Sequence, residues 1–126
     1  MNRRRSMTHS HSAALLLLFA FAAAVAIAEE RCDEIAETAN KIGVRIPGTS
    51  APHRVTGQGR LQFFSAPSPG CIIKGVFILP GEEVIAYTEY QGFTAVMYSN
   101  PRTHLDTEGW VATARLQATG YGIAPD

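Results

Sequence analysis

Gly92-Phe93-Thr94-Ala95-Val96-Met97-Tyr98 and, after ten intervening residues, Gly109-Trp110-Val111 decide how this chain is read. Each stretch opens on a glycine and continues with β-branched and aromatic residues, the composition of a short strand on a half-buried sheet. The same grammar recurs on either side. Leu61–Ser65, Gly75–Leu79, Val84–Tyr90, Phe93–Tyr98 and Glu108–Ala112 read as five strands, separated by Ala66-Pro67-Ser68-Pro69-Gly70, Pro80-Gly81, Gln91-Gly92 and Asn100-Pro101. Thr113-Ala114-Arg115-Leu116 fits a single helical turn before the last edge. The expected fold is mostly β, a small antiparallel five-stranded barrel over residues 60–116.

The beginning of the chain has a different character. Arg3-Arg4-Arg5 precede 16 uninterrupted apolar residues, Ala13 to Ala28, ending in Ala26-Ile27-Ala28. This is the pattern of a secretory signal peptide cleaved after residue 28. The apolar run falls short of the roughly 18 to 20 residues that span a bilayer, and Glu29-Glu30-Arg31 lack the small apolar pattern that a lipid-attachment site at Cys32 needs. The expected location is therefore periplasmic or secreted, with no stable membrane anchor after cleavage. The remaining 98 residues suffice for one domain and one core. They carry 8 Lys+Arg against 11 Asp+Glu, a net charge of −3, which argues against a nucleic-acid partner.

Two cysteines remain, Cys32 and Cys71, and an exported chain places them in an oxidising compartment, so a disulfide is expected. It closes a loop of 40 residues, worth about 4 kcal/mol in the chain-entropy account. Cys32, Ile35, Ala36, Ala39 and Ile42 recur at helical spacing, while Glu30, Asp33, Glu34 and Glu37 crowd the early turns and Gly43 stands at the end. The spacing predicts one amphipathic helix over 29–42, tethered by the disulfide, and the dipole and glycine cap agree with it. Val44 to Gln58, with Pro47-Gly48 and Ser50-Ala51-Pro52, reads as a connector with one short extended piece at Arg54-Val55, completing an N-terminal region of residues 29–59. Gly57-Gln58-Gly59 reads as a turn into the first strand rather than a phosphate-binding loop. Residues 117–126, with two glycines and a proline, read as a fraying tail.

Leu61-Gln62-Phe63-Phe64-Ser65-Ala66-Pro67-Ser68, Pro80-Gly81-Glu82-Glu83-Val84, and the closing pair of Gly92-Phe93 through Val96 with Gly109-Trp110-Val111 and Arg115-Leu116 resemble the bacterial SH3-like (SH3b) domains in order and spacing. The resemblance covers residues 60–116. It implies a five-stranded, strongly bent barrel that binds cell-wall peptides or acts as a docking domain, and it does not imply an enzyme. Three features depart from the pattern: Phe93 stands where tryptophan is usual, the loop from Ser99 to Thr107 is long, and the helix with its cysteines is additional.

On that pattern Val96 and Val111 point inward, and alternation sends Phe93, Ala95, Met97 and Trp110 to the outer face. An apolar patch of this kind calls for a ligand or for a cover, and the helix face of Ile35, Ala36, Ala39 and Ile42 is the available cover. Phe64, Tyr87 and Tyr90 form a second aromatic surface suited to peptide or glycan contact. The candidate ligand-binding residues are therefore Phe64, Tyr87, Tyr90, Phe93 and Trp110. Tyr98, in phase with Val96, belongs to the interior. His104, Asp106 and Glu108 alternate as metal ligands would, but one histidine and two carboxylates at a hairpin tip read as a solvated turn, and no metal or cofactor is expected. No serine or cysteine stands in a nucleophile motif, so no catalytic residue is expected. The expected role is a non-enzymatic exported binding module for cell-wall peptide or an envelope protein. A periplasmic inhibitor or immunity protein that blocks an exported toxin or hydrolase is the alternative.

Overall fold

The computed structural model describes residues 31–122. The leader assigned to residues 1–28, Glu29 and Glu30 at the start of the expected helix, and the last four residues of the tail lie outside them. A helix, α1, occupies residues 31–42, and the Gly43 amide closes it by donating to the Ala39 carbonyl at 2.8 Å. Lys41 pairs with Glu37 one turn earlier at 2.8 Å, on the exposed face, where such a pair contributes a few tenths of a kcal/mol. Among the described residues no helix is long and apolar enough to cross a membrane.

All five strands read from the sequence are present, and three more accompany them: β1 (Val44–Arg45), β2 (Pro52–Val55), β3 (Leu61–Phe64), β4 (Ile72–Ile78), β5 (Glu83–Tyr90), β6 (Phe93–Ser99), β7 (Asp106–Ala112) and β8 (Leu116–Ala118). The count is eight, not five. The additional strands are two to four residues long, and their sequences carry turn chemistry rather than alternation. Pro52, in particular, opens β2, a position where a strand tolerates a missing amide. Tertiary pairing recruits them: β2 lies between β5 and β8, while β1 pairs the far end of β5. Gln117 and Ala118, read as tail, are thereby held opposite Arg54 and His53.

The strands form one antiparallel sheet in the order β4-β3-β7-β6-β5-β2-β8, curled into a half-barrel. Its concave side buries Val55, Leu61, Phe63, Ile78, Val84, Ala86, Val96, Tyr98 and Val111 in a single cluster. Val96, Val111 and Tyr98 thus point inward as alternation requires. The glycine at 109 is needed here, because a Cβ on it would stand 2.8 Å from Phe63 Cδ1 and 3.0 Å from the Phe64 carbonyl.

Two irregularities shape the sheet. On β4, four residues from Ile73 to Val76 face the single residue Phe63, and Gly75 takes φ +77°, a left-handed value that glycine accepts without strain. The Gln62 side-chain amide enters this bulge and donates to the carbonyls of Ile73 and Val76 at 2.6 and 2.9 Å. On β5, the register steps between Ala86 and Thr88, leaving Tyr87 as the extra residue.

The convex face carries α1. Cys32 and Cys71 form a disulfide with 5.7 Å between their Cα atoms, fixing the helix start to the turn before β4. At the other end, Gly43 meets β5 so closely that a Cβ there would lie 2.5 Å from Thr88 Cγ2. Ala39 is fully buried, and Cys32, Ile35 and Ala36 are half-buried. Ile42, which its spacing assigns to the same face, is 65% exposed, and it is the next residue, Gly43, that abuts β5.

Candidate functional site

Residues directly opposite in antiparallel strands present their side chains on the same side of a sheet. Arg45 is opposite Thr88, Thr88 opposite Ala95, Ala95 opposite Trp110, and Trp110 opposite Phe64, so these five form one row across the convex face. A flanking row runs through Ile85, Met97 and Glu108, and on the other side Tyr90 faces Phe93. The sequence reading that placed Phe93, Ala95, Met97 and Trp110 together on the outer face therefore holds.

The helix crosses this face and divides it. Trp110 is 4% exposed and Thr88 is buried, so the middle of the row is covered. Phe64 and Phe93 remain half-buried and meet edge to face, their ring centroids 5.2 Å apart, an arrangement that uses these rings for packing. Tyr87 and Tyr90 fall on opposite flanks of α1.

On one flank Arg31, Glu34, Ile35 and Thr38 wall a cleft of about 470 Å³ with Pro67 to Pro69, and Tyr90 and Gln91 line it as well. Gln91 adopts φ +47°, a left-handed conformation uncommon outside glycine, at the turn into β6, and its side-chain amide donates to the Tyr90 hydroxyl at 3.2 Å. That bond uses the Tyr90 hydroxyl as an acceptor.

On the other flank lies a larger groove of about 620 Å³, with Ala36 and Asn40 of α1 on one side and Tyr87, Ala95, Glu108 and Trp110 of the sheet, together with Arg45 of β1, around it. Ala36 and Ala95 are small, which leaves the space open. Tyr87 is 43% exposed, and its hydroxyl makes only a 3.9 Å contact with the Met97 sulfur. The bulge on β5 is what brings Tyr87 here. Arg45 and Glu108 are both exposed, and neither belongs to an ion pair among the described residues.

Of the five residues singled out in the sequence, Tyr87 and Trp110 thus share the larger groove, Tyr90 lines the smaller, and Phe64 and Phe93 pack on one another. Arg45 was not legible as a site residue, because a two-residue strand leaves no periodic signal. Glu108 stood out only as one of three alternating side chains with His104 and Asp106. Those three do not converge: His104 is exposed at φ +58°, Asp106 accepts from the Ser99 hydroxyl at 2.6 Å, and Glu108 lies in the groove. Among the described residues no group of three His, Cys, Asp or Glu side chains is placed to hold a metal ion.

The loop that carries His104 is built on Asn100, whose side-chain oxygen accepts from the amides of Arg102 and Thr103 and whose backbone bonds to Leu105 and His104. It presents Leu105, 68% exposed, at the tip of the β6-β7 hairpin. Comparison of the chain with protein-family models, with curated proteins and with solved structures gives no match.

Proposed function

We propose that this chain is a non-enzymatic, exported SH3-like binding module, cleaved after residue 28, that recognises cell-wall peptide or an envelope protein through the groove beside Tyr87. The observation that carries this reading is the groove itself. An exposed tyrosine with no strong partner for its hydroxyl stands beside small side chains and two charges that have no ionic partner among the described residues, the mixture of flat apolar surface and sparse polar groups that peptide recognition uses. Both cysteines are joined to each other, which leaves neither as a nucleophile and suits an oxidising compartment.

The test is retention of the purified, oxidised protein on isolated peptidoglycan and on an immobilised extract of envelope proteins. Retention on either matrix that falls at least severalfold in Tyr87→Ala, with the melting temperature preserved, supports the reading. Equal retention of the variant on both matrices would remove the groove from the binding surface.

A second reading, a periplasmic inhibitor or immunity protein, is favoured by the β6-β7 hairpin tip, where a hydrogen-bonded loop holds an apolar side chain far into solvent. Under that reading one exported toxin or hydrolase is captured in a one-to-one complex, and Leu105→Asp abolishes the capture while Tyr87→Ala leaves it intact.

A further inference from the structure

We propose that the groove beside Tyr87 takes a short zwitterionic peptide laid across the strands, its carboxylate at Arg45 and its ammonium group at Glu108. The inference rests on the reading that this groove is the binding site, and it assigns the ligand's chemistry and direction.

Arg45 and Glu108 line the same groove with opposite charges, and among the described residues neither has an ionic partner. They are not paired with one another, and β1 and β7 are separated by three strand spacings through β5 and β6, about 14 Å at ~4.8 Å each. A ligand of two or three extended residues, roughly 7 to 10 Å long at about 3.3 Å each, lies within that span and leaves its ends to be met by the two side chains.

Between the charges the groove offers Asn40, whose amide both donates and accepts as a peptide group requires, and the flat face of Tyr87. Ala36 and Ala95 leave width for a backbone with small side chains. A ligand with one charge would leave the opposite residue unanswered. A peptide carrying both termini answers each.

The probes are tri-alanine with free termini, its N-acetyl form, its C-terminal amide, and the doubly blocked form, titrated into the oxidised protein while backbone amide shifts are followed by NMR. Tri-alanine should move the amides of Tyr87 and Ala95, and blocking either terminus should weaken binding roughly two- to fivefold, the range of one exposed charge pair. Arg45→Gln should erase the effect of amidation and leave that of acetylation, and Glu108→Gln should do the reverse. Both positions are exposed, so both variants should melt as the parent does.

The proposal falls if the four peptides bind alike, if none of them shifts these amides, or if either variant keeps both blocking effects. Retention on peptidoglycan separates the two levels. A parent protein retained there while tri-alanine leaves the groove untouched overturns the charge assignment alone, whereas a parent retained on neither peptidoglycan nor envelope extract overturns the binding module with it.

Discussion

Tyr98 on β6 donates its hydroxyl hydrogen bond to one carboxylate oxygen of Glu82, while the other oxygen accepts the Leu79 amide at 2.7 Å. One carboxylate therefore joins the inner end of a strand to the turn between β4 and β5. The bond to Glu82, aided by burial and by the negative charge, pushes the Tyr98 phenol up to about 12. A phenol whose folded value is raised from 10 contributes stability that is complete below pH 10 and lost as the pH climbs toward 12. Tyr98→Phe should cost about 1–2 kcal/mol in urea unfolding at pH 8. The gap between parent and variant should narrow by pH 11, and a constant gap would show that the bond to Glu82 does not set the titration.

Glu83 provides an acidic counterpart at the surface. It accepts from the Tyr121 hydroxyl and from Arg54, each at 2.8 Å, and these bonds hold its carboxyl below the usual value. A lowered carboxyl supports the fold above its ordinary titration range and loses that support as the pH falls through the depressed one. Tyr121→Phe should move the Glu83 side-chain carbon titration upward in an NMR pH series. No movement would mean that the chain after β8 is not seated against β5.

Replacing both cysteines, Cys32→Ala with Cys71→Ala, removes the fixed end of α1. The expected loss is about 4 kcal/mol on the chain-entropy account, with the strand signal in far-ultraviolet circular dichroism retained. An unchanged melting temperature would show that the helix docks without its tether.

Gly109→Ala tests the contact between β7 and β3. The added methyl would stand 2.8 Å from the Phe63 ring and 3.0 Å from the Phe64 carbonyl, so a neighbour must shift and the variant should lose about 1–3 kcal/mol. Trp110→Ala, which empties a buried site beside it, should lose about 3–5 kcal/mol. A Trp110→Ala protein of parental stability would place the indole in solvent and reopen the covered row as a binding surface.

The parts of this fold that were legible in the sequence are those with a period. The five strands read from the sequence and α1 announce themselves by alternation and by helical spacing, and the cysteines needed only a compartment to be paired. The opposed faces of Val96 and Trp110 followed from the same alternation. β1, β2 and β8 carry no such signal, since Val44–Arg45 is two residues long and β2 opens on a proline; they exist because β5 and β2 offer them partners. The site suffers most from this, because Arg45 sits on one of these strands and Tyr87 reaches the groove through a bulge that its own sequence does not encode. Ile42 fails for a related reason: periodicity defines the face of a helix, but not which of its last residues meets the sheet, and here it is Gly43 that abuts β5.

The kink in β4 has a consequence for how this protein behaves among its own copies. An edge strand is a template for aggregation when it offers a long straight run of free amides and carbonyls. β4 offers none, for its middle four residues bow out at Gly75, two of its carbonyls are taken by Gln62, and Lys74 puts a charge on the bow. An incoming strand finds only a residue or two in register on either side, too little to nucleate a ladder, so the β4 border of the half-barrel is a poor template for a second copy.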